Sequence, residues 1–210
     1  MLKLLIVDDH SIVREGLMRI FLGWHGIESI SEASSGLEAI DMVRTMDFNL
    51  VILDIGMAGR GGLEVLVSLK AIKPNLSIIV FSMYPAEQYA IRCFKSGASA
   101  YISKESHPTE LLKAVEAVTA GRNYVTESIG AQMADIIRKD SIGSRHEKLS
   151  DRELQIIIGI GAGKSNVKIA EELFLSPKTV STYKTRILAK MGMETTSQLM
   201  KYVLQEGLAS

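Results

Sequence analysis

The chain has 210 residues, with 24 Lys and Arg against 24 Asp and Glu, so its formal net charge of zero by itself favours no class of partner. This length suits two small domains better than one, and the single cysteine, Cys93, excludes an internal disulfide and favours a reducing cytosol. No apolar run approaches the roughly 18–20 residues of a membrane span, and the apolar run before Asp8 is too short for a secretory signal, so we expect a soluble cytoplasmic protein.

Residues 1–121 alternate between short apolar runs and segments with helical spacing. Five such strand–helix units with wholly apolar strands predict a parallel sheet that helices cover on both faces. We therefore predict a doubly wound, flavodoxin-like α/β domain over 1–121, whose functional site lies at the carboxyl ends of the strands. The predicted strands are Leu2–Val7, Ile30–Ala33, Leu50–Leu53, Ile78–Phe81 and Ala100–Ile102.

The next segment, 122–146, is predicted to be a linker that contains a short helix. An amphipathic stretch at Ile129–Ile137 precedes the polar letters RKDSIGSRHEK. From residue 147 the pattern is helical, and Ser150 followed by Glu153 forms a capping-box signature. We predict a small all-α domain over 147–210 with four helices, at Asp151–Gly161, Val167–Phe174, Pro177–Met191 and Ser197–Gln205.

Polar side chains end or follow four of the predicted strands: Asp8 and Asp9, Asp54, Ser82 and Lys104. The first and third strands of a doubly wound sheet are neighbours, so the three carboxylates should converge. Clustered carboxylates repel one another unless a cation lies among them, and oxygen ligands favour Mg²⁺. Mg²⁺ also accepts phosphate oxygens, and a phosphoryl group on Asp54 could pair with Lys104 and Ser82. The pattern indicates phosphoryl chemistry.

The pieces LLIVDDH, LVILDIGM, IIVFS and GASAYISK resemble the receiver domains of bacterial two-component response regulators, and the resemblance covers residues 1–121. It implies that Asp54 accepts a phosphoryl group from a histidine kinase or a phosphorelay protein. It also implies that Asp9, Asp54 and the Gly56 carbonyl hold Mg²⁺, with assistance from Asp8.

The same resemblance implies a switch around the phosphoryl group. Ser82 and Lys104 would contact its oxygens, and Tyr101 would swing inward when Ser82 moves toward the phosphate. One position departs from the family pattern, because Ala58 stands in the loop MAGRGG where proline is usual. This change loosens the loop beside the site and bears on the lifetime of the phosphorylated state.

The segment SNVKIAEELFLSPKTVSTYKTRILAKMG has the layout of two helices joined by a tight turn. Ser176 is a suitable cap for the second helix, and Pro177 suits its first position. The second helix carries basic and short hydroxyl side chains and no acid, which suits the phosphates and base edges of a DNA major groove. The alternative interpretation is the solvated face of an ordinary helix bundle.

The pieces LSDRELQIII, KSNVKIAEELFLS and KTVSTYKTRILAKMGM resemble the LuxR-type helix-turn-helix of the NarL/FixJ class, over residues 147–210. The resemblance implies that the bases face Ser181, Thr182 and Thr185. It implies that the DNA backbone is held by Lys178, Thr179, Lys184, Arg186 and Lys190. Many members carry lysine and histidine where this chain has Ser181 and Tyr183, so their base readout does not transfer to it.

The last helix resembles the dimer contact of the same family, which implies a homodimer that binds inverted half-sites of double-stranded DNA. The predicted contact side chains are Leu199, Met200, Val203 and Leu204. The expected function is that of a phosphorylation-regulated, DNA-binding transcriptional regulator. In this interpretation phosphorylation shifts dimerisation or domain release, and so DNA binding.

Two other functions remain open at this point. A Mg²⁺-dependent phosphohydrolase that uses Asp54 as nucleophile generally needs a second acid nearby. Ile55 and Gly56 follow Asp54 instead, so we predict that the protein is not an enzyme. A DNA-binding regulator controlled by partner binding alone would leave Asp54 without a role.

Two weaker motifs are assigned no function. The letters GIGAGKS (159–165) have three residues between the first glycine and Gly-Lys where a phosphate-binding loop has four. The histidines show no metal-ligand spacing, so surface or loop roles are expected for His10, His25, His107 and His146.

Overall fold

The computed structural model describes residues 1–57, 61–138 and 145–208. By their internal contacts the residues divide into two units, Met1–Asp140 and Ser141–Ser210, and each unit has its own hydrophobic core. The predicted domain boundaries at residues 121 and 146 stay predictions. Residues 139–144, which form most of the polar linker segment, lie outside the described residues. Ala58 also lies outside them, so its predicted effect stays a prediction.

The first unit is built on a five-stranded parallel sheet with strand order β2-β1-β3-β4-β5, which confirms the predicted doubly wound fold. The central strand β3 is buried on both faces, with each residue at most 1% exposed. The edge strand β2 begins at Ile27 and not at the predicted Ile30, because exposed Glu28 and Ser29 interrupt the apolar pattern there. The strands are β1 Leu2–Val7, β2 Ile27–Ala33, β3 Leu50–Leu53, β4 Ser77–Ser82 and β5 Ala100–Ser103.

Helices follow each strand, and a sixth completes the first unit. Helices α2 and α3 lie close together because residue 36 is glycine, and a Cβ there would overlap the Val65 side chain. The short helix predicted at Ile129–Ile137 is present as α6, which packs against α4. The helices are α1 Ser11–Phe21, α2 Gly36–Thr45, α3 Gly62–Ile72, α4 Ala86–Lys95, α5 Pro108–Thr119 and α6 Glu127–Arg138.

The second unit contains the four predicted helices, preceded by a single 3₁₀ turn at Arg145–Lys148. The capping box is present, since Ser150 Oγ accepts from the Glu153 N–H and the Glu153 carboxylate accepts from the Ser150 N–H. Helix α9 begins and ends as predicted, with Ser176 as its cap. The helices are α7 Asp151–Gly161, α8 Asn166–Glu172, α9 Pro177–Met191 and α10 Thr196–Gln205.

The structure corrects two of the residues predicted to form a dimer contact. Leu199 and Val203 are 0% exposed and belong to the hydrophobic core of the helical unit, where α10 packs against α7. Their side chains therefore have no surface to offer a second copy. The other two predicted residues differ, because Met200 is partly buried and Leu204 is 61% exposed.

The turn between α8 and α9 contains a strained residue. Phe174 has a φ of 53°, in the left-handed region that costs an ordinary side chain about 1–2 kcal/mol. Its ring is 87% exposed, so burial of the side chain does not offset this cost. The constraint on this backbone comes from the turn itself, because the Leu175 N–H donates to the Ala170 carbonyl at 2.8 Å.

We expect Phe174→Asn to raise the free energy of unfolding of the helical unit by about 1 kcal/mol, because asparagine enters the left-handed region more easily. Phe174→Ala keeps the backbone cost and serves as the control. Calorimetric unfolding of the full chain compares the three proteins. Equal stability of the Asn and Ala variants would contradict the explanation by backbone strain.

Candidate functional site

The carboxyl ends of β1 and β3 bring acidic side chains together. Val7 pairs with Leu53 in the sheet, and the Asp54 N–H donates to the Val7 carbonyl at 2.9 Å, so Asp8 and Asp54 leave neighbouring strands side by side. Both residues are buried, with Asp8 1% and Asp54 4% exposed. One ligand oxygen from each of Asp8, Asp9 and Asp54 lies within 4.8 Å of the others. We call this group of three carboxylates the acidic pocket.

The ammonium group of Lys104 bridges two of these carboxylates. Its Nζ donates to Asp8 Oδ2 at 2.6 Å and to Asp54 Oδ2 at 2.7 Å. Burial lowers the pKa of Lys104, but the hydrogen bonds to Asp54 and Asp8 outweigh burial and raise it, so the ammonium is charged at neutral pH. Burial is also the largest influence on the pKa of Asp54 and raises it, although Lys104 and the Gly56 N–H act in the opposite direction.

Ser82 and Tyr101 lie beside the pocket on β4 and β5. Ser82 is fully buried, and its Oγ accepts from the Tyr84 N–H at 3.2 Å. The Tyr101 hydroxyl donates to the Tyr84 carbonyl at 2.7 Å, and burial raises the pKa of this phenol. The resemblance implied that Tyr101 swings inward on phosphorylation, whereas here the ring is inside already, with 1% exposed. The Tyr84 backbone therefore contacts both side chains.

The pocket suits a hard divalent cation. All three of its side chains are carboxylates, the ligand type that Mg²⁺ prefers. Gly56 lies against them, since its N–H donates to Asp54 Oδ1 at 2.8 Å and a Cβ there would approach the same oxygen to 3.3 Å. The absence of a side chain at residue 56 thus keeps space beside Asp54, and a divalent ion there would favour the ionised carboxylate against burial.

Two residues near the pocket were not expected from the sequence. His10 Nδ1 lies 2.8 Å from Asp9 Oδ1 and 3.2 Å from Asp8 Oδ1, and it belongs to the same potential metal-binding group. Arg14 Nη1 donates to the Asp8 carbonyl at 2.7 Å, while its Nε donates to Glu32 at 2.9 Å. The sequence signal for His10 is its position directly after two acids, which is not the spacing that histidine ligands usually show.

Helix α9 presents the predicted DNA-binding side chains on its outer face. Its inner face packs into the core through Val180, Ile187 and Met191. Ser181 Oγ accepts from Asn166 Nδ2 at 3.1 Å, so this hydroxyl also connects α9 to α8. Thr179 and Lys184 are half-buried, and the remaining predicted residues are exposed, namely Lys178, Ser181, Thr182, Thr185, Arg186 and Lys190.

The two units match two known families. Residues 4–116 match the response regulator receiver domain, and residues 147–203 match the luxR family of bacterial regulatory proteins. The chain belongs to the NarL/FixJ class of response regulators. It is therefore a transcription regulator with a receiver domain and a LuxR-type helix-turn-helix, and the predicted class is confirmed.

Similar proteins resemble this response regulator over its whole length. The response regulator UvrY of Escherichia coli K12 is 34% identical over 211 residues, which cover 100% of this chain and 97% of UvrY. BvgA of Bordetella pertussis is 35% identical over 209 residues, with 99% of each chain covered. A solved structure of RcsB from Salmonella enterica serovar Typhimurium, bound to the P1flhDC promoter with the phosphomimetic BeF₃⁻, has 25% identity and a TM-score of 0.61, and covers 96% of this chain and 97% of RcsB.

Within the part of the regulator that the structure describes, no helix has the length and apolar character needed to cross a membrane.

Lys190 of the regulator has a structural partner as well as a predicted DNA contact. Its Nζ donates to Glu153 Oε2 at 2.7 Å, and Glu153 is only 3% exposed. Burial raises the pKa of Glu153, but the hydrogen bonds from Lys190 and Ser150 outweigh it and lower the pKa. This ion pair ties the C-terminal end of α9 to the start of α7, so Lys190 is less available for a DNA phosphate than its spacing suggested.

We expect Lys190→Ala to lower the free energy of unfolding by about 1–2 kcal/mol, less than for a fully buried pair because solvent screens the half-exposed ammonium. The pKa of Glu153 is lower in the folded state than its ordinary value of 4.5, so the ion pair contributes its full stability at pH values above 4.5. This contribution is lost as the pH falls through the pKa that Glu153 has in the folded state. Calorimetry near neutral pH and in acid measures the difference between the two proteins.

Lys164→Ala is the matched control for Lys190→Ala. Lys164 also forms an ion pair at 2.7 Å, with Glu172, but both side chains are about two-fifths exposed, at 40% and 39%. We expect its removal to cost at most about 0.5 kcal/mol. Equal effects of the two substitutions, or a Lys190→Ala effect that persists in acid, would argue against the buried partner as the cause.

Proposed function

We propose that Asp54 is the phosphoacceptor of this response regulator, and that phosphorylation controls its binding to DNA. The observation that carries the proposal is the acidic pocket with Lys104 bridging Asp8 and Asp54 at 2.6 and 2.7 Å. A charged ammonium between two buried carboxylates, with the more exposed carboxylate of Asp9 beside them, is the kind of electrostatic arrangement found at functional sites.

The chemistry requires one bond to form and one to break. An Asp54 oxygen attacks the phosphorus of a phosphohistidine on a histidine kinase or phosphorelay protein, and the P–N bond breaks with its electron pair on the donor imidazole. The product is an acyl phosphate on Asp54. Asp9, Asp54 and the Gly56 carbonyl, with assistance from Asp8, would hold Mg²⁺, which would supply positive charge beside the phosphoryl oxygens.

The residues around the pocket then respond to the new charge. Lys104 exchanges its hydrogen bond with Asp54 for one with a phosphoryl oxygen, and the Ser82 hydroxyl donates to another. Because Ser82 and Tyr101 both contact the backbone of Tyr84, a movement of Ser82 changes the partners of that loop. The phosphoryl group thereby shifts a pre-existing equilibrium between two arrangements of this surface.

We assign the receiver to 1–121, the linker to 122–146 and the DNA-binding domain to 147–210. Helix α9 enters the major groove of double-stranded DNA, with hydroxyl side chains toward the bases and cations toward the phosphates. The RcsB structure supports this assignment, since that relative was solved on promoter DNA with a phosphomimetic. The base-facing residues are Ser181, Thr182 and Thr185, and the phosphate-facing residues are Lys178, Thr179, Lys184 and Arg186. Lys190 contributes to the phosphate contacts only as far as its ion pair with Glu153 allows.

A homodimer reads inverted half-sites in this proposal, and phosphorylation promotes dimerisation or domain release. On α10, exposed Leu204 and partly buried Met200 are the predicted contact residues that can still reach a partner. Linking two half-site readers raises DNA affinity without any new contact to a base. As a transcription regulator the protein acts in the cytoplasm, where the chromosome lies, and turns over no substrate.

The test measures the intact mass of the full chain before and after treatment with a small phosphodonor and Mg²⁺, together with titration of double-stranded DNA fragments. Gain of one phosphoryl group with tighter DNA binding supports the proposal. A phosphorylated chain with unchanged DNA affinity and oligomeric state rejects the switch. Steady hydrolysis of a small phosphate ester supports the phosphohydrolase alternative.

A further inference from the structure

We propose that His10 is a ligand of the divalent ion in the acidic pocket and gives this pocket a preference for Mn²⁺ and similar transition ions over Mg²⁺. The inference rests on the proposed function, because it takes the acidic pocket as a metal site. It adds a nitrogen ligand that the carboxylate set does not contain.

The positions of the ligand atoms carry the inference. His10 Nδ1 lies 2.8 Å from Asp9 Oδ1 and 3.2 Å from Asp8 Oδ1. Two ligands at right angles on an ion with bonds of about 2.1 Å are about 3.0 Å apart. The distances from His10 Nδ1 to these two oxygens are therefore close to those between adjacent ligands of one ion. A carboxylate oxygen of Asp54 also lies within 4.8 Å of the His10 ligand nitrogen.

The backbone and the solvent exposure of His10 also suit a ligand. Its N–H donates to Asp8 Oδ1 at 2.9 Å, which fixes the residue at the pocket entrance just before α1. Its side chain is 66% exposed, so the ring can adjust to an ion between Nδ1 and the carboxylates without breaking the hydrophobic core. The ring would replace one of the waters that Mg²⁺ usually retains in such sites.

The chemistry of the donor set gives the direction of the preference. Carboxylates suit Mg²⁺ and Mn²⁺ alike, whereas imidazole binds transition ions and adds little for the hard Mg²⁺ ion. A nitrogen ligand consequently strengthens binding of Mn²⁺ selectively. If His10 instead only hydrogen-bonds to Asp8 and Asp9, it orients the carboxylates and affects the two ions equally.

The experiment uses the full, unphosphorylated chain with Mn²⁺ as the probe. Electron paramagnetic resonance gives the Mn²⁺ affinity, competition gives the Mg²⁺ affinity, and pulsed measurements detect a nitrogen coupled to the bound Mn²⁺. We expect His10→Ala to remove the nitrogen coupling and to weaken Mn²⁺ binding about tenfold. We expect the same substitution to leave the Mg²⁺ affinity unchanged within about twofold.

Controls separate this inference from the proposed function. His25→Ala removes a histidine elsewhere in the same unit and should change neither affinity nor the nitrogen coupling, which excludes binding to surface imidazoles. Asp9→Asn should weaken the binding of both ions, and unchanged affinities would reject the acidic pocket as a metal site. A wild type without nitrogen coupling, or equal weakening of Mn²⁺ and Mg²⁺ in His10→Ala, rejects His10 as a ligand while leaving the acidic pocket intact.

Discussion

We expect Asp54→Asn to abolish phosphorylation by a small phosphodonor and Mg²⁺, and with it every change in DNA affinity and oligomeric state that the donor causes in the wild type. An amide has no anionic oxygen to attack phosphorus, and it cannot form the acyl phosphate. Asn has nearly the same shape as Asp, and its single oxygen can keep the hydrogen bond from the Gly56 N–H. Lys104 keeps Asp8 as a partner, so the fold should persist. Intact mass and a DNA titration on the same samples measure the loss.

Asp41→Asn is the matched control for this substitution. Asp41 lies on α2 with 76% of its side chain exposed, and its ion pair with Arg44 is long, at 3.5 Å. The control should accept one phosphoryl group and respond as the wild type does. An Asp54→Asn variant that still gains the phosphoryl group would falsify the assignment of Asp54. If Asp54→Asn leaves DNA affinity and oligomeric state the same as in the wild type when donor and Mg²⁺ are supplied, the result supports regulation by partner binding.

The second large effect is expected on α9. Lys184→Ala combined with Arg186→Ala should weaken binding to all double-stranded sequences. The slope of the logarithm of the affinity against the logarithm of the salt concentration should become less steep by about 2, or about 1 per lost phosphate contact. Each phosphate neutralised by a cation releases counterions, so the slope counts the contacts directly. Titrations at several salt concentrations measure it on specific and unrelated DNA.

Lys201→Ala controls for the loss of positive charge alone. Lys201 is an exposed cation of the same unit, but it lies on α10 and not on α9. It should change the salt dependence by far less than either α9 substitution. Thr185→Ala provides the opposite contrast, because loss of a hydroxyl proposed to face a base should alter the sequence preference while the salt slope stays the same. An unchanged slope in the double variant would contradict the phosphate-clamp role.

Most of the fold could be predicted from the chain because its signals are local. Four consecutive apolar residues of β3 form a strand buried on both faces, as their pattern indicated. Ser176 and Pro177 mark the start of α9, and Gly192, with a φ of 63°, marks its end. Caps and periodicity depend on residues within one or two turns, which a sequence displays in order.

The acidic pocket could also be anticipated, since parallel strands release their next residues at the same edge of the sheet. The structure places Asp8, Asp54 and Lys104 within hydrogen-bonding distance, although they are separated by up to 96 residues in the chain. Topology alone was enough for this convergence. It was not enough for the orientation of the neighbouring side chains, such as the inward ring of Tyr101.

The amino-acid order was enough to predict the two folds, the acids at the strand ends and the basic helix. The partners of the remaining side chains depend on how the helices and strands pack together. The apolar face of α10 packs against α7, so Leu199 and Val203 are core and not a dimer surface. Lys190 pairs with Glu153, and His10 turns toward Asp9. Periodicity shows that a face is apolar or charged, but the partner depends on distant segments that folding brings together, and those contacts leave no local pattern.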